Sequence, residues 1–144
     1  MLRQIIVADD HPLFREALKA AVGRLDSGTS FVEADSVASL LTALDAQPDA
    51  DLLLLDLTMP GAQGFNALAH VRGSRPGLPV VVVSADDDAQ TIAGALRYGA
   101  QGFMHHGAAV HLRVEFAQLV AQFHDRGNGG VEGLPATIVV TDLG

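Results

Sequence analysis

The sequence predicts an α/β fold: a doubly wound parallel sheet of five strands with helices on both faces. Three observations predict it. Five short apolar runs alternate with five segments whose apolar residues recur at helical spacing. Two of the runs, Leu52–Leu55 and Val80–Val83, are apolar without a break, as in strands covered on both faces. Each predicted strand then stops at a polar residue: Asp9, Asp35, Asp56, Ser84 or His105.

Taken in order, the first strand is Gln4–Ala8, halted by Asp9 and Asp10. Pro12 suits the first turn of the next helix, where its missing N–H would lack a partner anyway. Phe14, Ala17, Leu18, Ala21, Val22 and Leu25 form that helix's stripe, and Ser27-Gly28 ends it. Phe31–Ala34 is the second strand, after which Asp35 or Ser36 can cap a helix striped by Val37, Leu40, Leu41 and Leu44 and closed by Pro48. The third strand ends at Asp56 and enters a Met59-Pro60-Gly61 turn. Phe65, Leu68 and Val71 mark a short helix stopped by Gly73 and Pro76. Pro79–Val83 is the fourth strand, and Asp86–Asp88 cap and charge the start of a helix striped by Ala89, Ile92, Ala93 and Leu96. Phe103-Met104 is a brief fifth strand before His105-His106, and the last helix carries Leu112, Phe116, Leu119, Val120 and Phe123.

Composition narrows the function. At 144 residues the chain is one ordinary domain, and with 49% apolar but only 5% aromatic residues its core must be Val, Leu, Ile and Ala. The lack of cysteine excludes disulfides, thiolate metal sites and thiol nucleophiles, and fits a reducing compartment. No apolar run reaches membrane-spanning length, and the N-terminal one is too short for a signal peptide. A soluble, cytoplasmic protein with no membrane partner is expected. A net charge of -8 argues against this chain holding DNA or RNA by itself.

In a parallel sheet all carboxyl ends share one edge, where ligands bind, so the strand-end residues converge. With the first strand beside the third, Asp9 or Asp10 lies about one strand spacing, ~5 Å, from Asp56. Three carboxylates at that range repel one another unless a hard cation joins them, and Mg²⁺ suits such a group. A carboxylate can also attack phosphorus to give an acyl phosphate, provided that charge on the phosphoryl oxygens is compensated. Asp56 is then the nucleophile. Asp10 and Asp56 are side-chain metal ligands, Asp9 helps hold the metal and its waters, the Thr58 backbone carbonyl completes the set, and Ser84 donates to the phosphoryl group. His11, before Pro12, is read as structural.

Four motifs in this order and spacing, VADDHPLFREAL, LLLLDLTMPGAQG, VVVVSA and GAQGF, resemble the CheY-like receiver domain of two-component response regulators. The likeness spans roughly residues 3–125, and DDHPLFREAL with DLTMPG is most similar to the subfamily with a LuxR-type helix-turn-helix output domain. It implies a (βα)5 flavodoxin-like sheet of strand order 2-1-3-4-5, and phosphotransfer from a sensor histidine kinase onto Asp56. Ser84 and Phe103 are then the switch hydroxyl and switch aromatic. The partners implied are that kinase, a second copy in a homodimer, and DNA only through a C-terminal domain that the sequence does not contain. The domain is a phosphoacceptor signalling module rather than an enzyme, capable at most of self-phosphorylation from small donors and autodephosphorylation.

One departure from the family pattern stands out. Three residues after the aromatic the family places a lysine, and this chain has His106; Lys19, in the first helix, is its only lysine. Histidine is shorter, and with an ordinary pKa near ~6.5 it is only partly protonated at neutral pH. The metal ligands and nucleophile are unaffected, so the substitution bears on how phosphorylation is coupled to a switch. The alternative function is therefore a pseudo-receiver, a phosphorylation-independent interaction or dimerisation module. An FMN-binding electron carrier shares the fold but needs a Ser/Thr/Gly-rich phosphate loop where this chain has Asp9-Asp10-His11-Pro12.

Individually these residues have plainer readings. Asp9, Asp10, Asp56 and Ser84 could be caps and turn formers, and Phe103 a core aromatic. Adjacent His105 and His106 on a strand point to opposite faces and chelate poorly together. Receiver residues 1–125 give way at 126 to a Gly-rich tail, Arg126–Gly144, that reads as a linker toward a DNA-binding domain. A natural single-domain regulator is the alternative. Within the tail ATIVV favours β structure, has no partner in the five-strand scheme, and is suited to a sheet edge or a neighbouring molecule.

Overall fold

β1 (Gln4–Ala8) lies inside the sheet because β2 (Ser30–Ala34) and β3 (Leu52–Asp56) pair with it on either side, both parallel. β4 (Val80–Ser84) and β5 (Gly102–His105) continue beyond β3 in the same direction. The order 2-1-3-4-5 is the one expected. β6 (Ile138–Val140), from the ATIVV run of the tail, adds in parallel to the outer side of β5. The computed structural model describes residues 4–25, 28–86, 88–105 and 138–140. The last predicted helix and His106 lie outside those residues.

Four helices connect the described strands: α1 (Pro12–Leu25), α2 (Val37–Ala46), α3 (Asn66–Ser74) and α4 (Ala89–Arg97). Every residue of β3 and β4 is buried, as their unbroken apolar runs require. Ile6, Leu53, Leu55, Val80, Val82 and Phe103 face one layer, built from Leu40, Ala43 and Leu44 of α2, Leu68 and Val71 of α3, and Ala95 of α4. Ile5, Val7, Leu54, Val81 and Val83 alternate with them and are equally buried on the opposite face. α1 buries Phe14 and Leu18.

Local chemistry sets the helix limits. Ser36, not Asp35, caps α2: its hydroxyl accepts the Ser39 N–H at 3.1 Å while the Ser39 hydroxyl accepts the Ser36 N–H at 3.1 Å. Of the two expected stops of α3, Gly73 is passed and the helix runs to Ser74, just short of Pro76. It ends where Arg75, preceding Pro76, is barred from helical backbone. The Arg75 guanidinium then donates to the carbonyls of Leu44 at 2.9 Å and Pro48 at 2.8 Å, tying α3 to the exit of α2.

α4 differs most from its expected stripe. Ala89 and Ala93 are exposed, Ile92 and Leu96 half-buried, and only Ala95 is fully buried. Small residues face inward because Phe65, stacked on Tyr98 with ring centroids 5.2 Å apart, lies directly over Gly94. A Cβ at Gly94 would collide with the Phe65 ring. Gly94→Ala is therefore expected to lower unfolding stability by about 1–3 kcal/mol, the usual cost of overpacking. Urea unfolding should also show partial recovery when Phe65→Leu is added; an unshifted midpoint for Gly94→Ala alone would mean that the ring swings aside freely.

Candidate functional site

The parallel register delivers the site. Ala8 pairs with Leu55, so the next residues, Asp9 and Asp56, leave their strands side by side; Asp56 pairs with Val83, so Ser84 follows one position beyond. Asp56 is fully buried and Asp9 nearly so, whereas a third of the Asp10 side chain is exposed. One ligand atom from each of Asp9, Asp10, His11 and Asp56 falls within 4.8 Å of all the others. The three carboxylates predicted to converge do converge.

Asp56 is oriented by the turn that follows it. The Thr58 amide donates to Asp56 Oδ1 at 3.1 Å and the Thr58 hydroxyl donates to the same atom at 2.9 Å. Oδ2 is thereby turned toward the acidic group, 3.8 Å from His11 Nδ1. Thr58 thus meets the site through its N–H and O–H, contacts that motif reading did not supply. Asp9 is fixed from two sides. Its Oδ1 accepts the His11 amide at 2.8 Å, and its carbonyl accepts from Arg15 Nη1, while Arg15 Nε donates to Glu33 on β2 at 3.0 Å.

His11, read from the sequence as structural, lies within the acidic group. Its Nδ1 lies 2.7 Å from Asp9 Oδ1 and 3.1 Å from Asp10 Oδ1, inside the acidic group rather than outside it. The hydrogen bond to Asp9 raises the imidazole pKa above its ordinary value; partial burial opposes that, and the charges of Asp9, Asp10 and Asp56 add to it. The available signal was local: an Asp side chain that caps the amide two residues on bends the chain back, so residue 11 returns over residue 9 before Pro12 opens α1.

Ser84 is buried, and its Oγ accepts the Asp86 N–H at 3.0 Å. His105 ties β5 to the same loop, its Nε2 sitting 3.0 Å from the Ala85 carbonyl oxygen. Phe103 is fully buried on the β5 face toward α2, α3 and α4, one strand from Val82.

The family described as response regulator receiver domain matches residues 5–110. The chain belongs to that family. The receiver is 43% identical over 101 residues to a glycerol metabolism activator of Pseudomonas putida, covering 70% of this chain and 46% of that protein. It is 31% identical over 118 residues to the response regulator GacA of Pseudomonas viridiflava, covering 81% and 54% respectively. The chain thus spans about half the length of these curated relatives. Among solved structures, the signal receiver domain of the response regulator NarL from Mycobacterium tuberculosis is similar, with TM-score 0.71 and 35% identity over 88% of this chain and 96% of that one.

A receiver domain is a signalling domain of two-component systems. The three carboxylates at this receiver's sheet edge suit a hard divalent cation. Among the described residues no helix is long and apolar enough to cross a membrane.

Proposed function

We propose that this receiver accepts a phosphoryl group on Asp56 from a sensor histidine kinase and thereby switches a transcriptional output. One observation carries it: Asp56 is wholly buried at the strand edge, with Oδ1 held by Thr58 and Oδ2 turned toward Asp9, Asp10 and His11. A carboxylate oxygen fixed in that way is placed to attack. Asp56 Oδ2 would form a bond to phosphorus as the bond from phosphorus to the donor's nitrogen breaks, leaving an acyl phosphate and a free donor imidazole. The names of the relatives, an activator and a response regulator, support a regulatory output.

The residues divide the remaining work. Asp9, Asp10, Asp56 and the Thr58 carbonyl would hold Mg²⁺, which when bound supplies charge compensation for the phosphoryl oxygens. Ser84 accepts from Asp86 and so retains its own O–H to donate toward the phosphoryl group. Phe103, one strand from Val82, would report the change to the outer strands. Residues 1–125 would form the receiver and 126–144 the tail toward a DNA-binding domain, with a homodimer as the active assembly. Small donors would also phosphorylate Asp56, and the acyl phosphate would hydrolyse on the domain itself.

The second reading, a pseudo-receiver that assembles without phosphorylation, is favoured by His106 at the usual lysine position. Incubation with acetyl phosphate and Mg²⁺, followed by intact mass, separates the two. One added phosphoryl group is expected, along with a change in oligomeric state on adding beryllofluoride. No added mass and no response to beryllofluoride would leave the pseudo-receiver.

A further inference from the structure

The acidic pocket contains a nitrogen as well as oxygens, and this changes which cation it should prefer. We propose that His11 is a ligand to the divalent cation of this pocket, through Nδ1, and biases the receiver toward imidazole-accepting cations such as Mn²⁺ over Mg²⁺. This rests on the pocket being a metal site, as proposed above, and adds to it a ligand and a selectivity.

Three observations support it. His11 Nδ1 lies 2.7, 3.1 and 3.8 Å from one oxygen of Asp9, Asp10 and Asp56 respectively; without a cation it hydrogen-bonds to Asp9 Oδ1, and a cation taking its lone pair would displace that proton to solvent. The four candidate ligand atoms span no more than 4.8 Å. Ligands about 2.0–2.2 Å from a common ion are at most ~4.4 Å apart, so only a small adjustment gathers the set. Second, the ring is delivered by backbone: the Asp9 side chain holds the His11 amide at 2.8 Å, Arg15 holds the Asp9 carbonyl, and Pro12 starts α1. Third, about half of the His11 side chain is exposed, which leaves an open approach for an incoming hydrated ion.

The chemistry then decides selectivity. Mg²⁺ favours all-oxygen octahedral sites and gives up its waters reluctantly, whereas Mn²⁺, the first member of the first-row affinity series, takes carboxylates as Mg²⁺ does and accepts an imidazole beside them. A set of three carboxylates and one imidazole retains the charge that Mg²⁺ wants while adding a bond from which Mn²⁺ gains more. His70 on α3 and His105, whose Nε2 is taken up with Ala85, are outside this group of ligand atoms.

The test uses the full chain. Mg²⁺ and Mn²⁺ binding are measured by calorimetry in one buffer at fixed pH, and bound Mn²⁺ is probed by electron spin-echo modulation for a directly bound nitrogen. The wild type should show nitrogen coupling that His11→Ala abolishes and His106→Ala retains. His11→Ala should weaken Mn²⁺ about tenfold or more and Mg²⁺ by less than about threefold. Bound Mn²⁺ without nitrogen coupling, coupling lost in His106→Ala instead, or equal weakening of both cations would overturn the assignment of His11 while leaving the metal pocket. Tighter binding of both cations by His11→Ala would also overturn it, because the ring would then be blocking the pocket. Failure of the wild type to bind either cation, with Asp10→Asn no different, would overturn both the pocket and its histidine.

Discussion

Asp56→Asn is expected to take up no phosphoryl group from acetyl phosphate, and to unfold at a higher denaturant concentration than the wild type when divalent cations are withheld. The first effect is complete because an amide lacks the nucleophilic anion. The second follows from the surroundings. The substituted amide would keep an Oδ1 and with it the donations from the Thr58 amide and hydroxyl, at 3.1 and 2.9 Å in the native pocket. The oxygen exchanged for NH₂ is the one turned toward Asp9 and Asp10, where a negative charge becomes a donor. The gain should be about 1.5–3 kcal/mol, the scale of a hydrogen bond to a charged group. Urea unfolding reads it directly. A destabilised variant would show that attraction to His11 outweighs repulsion among the carboxylates, and continued phosphoryl uptake would move the acceptor to another residue.

Phe103→Ala should cost about 3–5 kcal/mol, a large part of the ~5–15 kcal/mol that holds a domain together. The side chain is fully buried, its strand pairs with β4 through Val82 on one side and with β6 through Val139 on the other, and α4 packs against that strand. No shorter neighbour can fill the volume of a lost ring without moving a helix. Chemical unfolding of Phe103→Ala and Phe103→Leu should give losses in that order. A loss under about 1 kcal/mol for the alanine variant would mean that the ring is not part of the packed core.

Much of this molecule was readable because its signals are local. Leu52–Leu55 and Val80–Val83 could only be strands covered on both faces, and both are buried throughout. Asp9, Asp10 and Asp56 could be placed together without coordinates, since parallel strands share an edge. What escaped depends on contacts across the fold. The inward face of α4 was assigned to Ala89, Ile92, Ala93 and Leu96, whereas the ring of Phe65 selects Gly94 and Ala95. Of the two expected stops of α3, Pro76 sets the limit, while an exposed glycine near a helix end breaks nothing. His11 was read as structural, and its place among the acids is set by the turn around Asp9 that folds it back. ATIVV was legible as a strand candidate, while its partner was not.

That partner has a consequence for how the molecule behaves at high concentration. Without Ile138–Val140, the sheet would finish on β5, whose Gly102-Phe103-Met104 backbone would offer a free ladder to any passing chain. Three described residues of the same polypeptide occupy it instead. Ile138–Val140 would thus block that ladder against strand-to-strand growth, a task quite separate from carrying a signal onward.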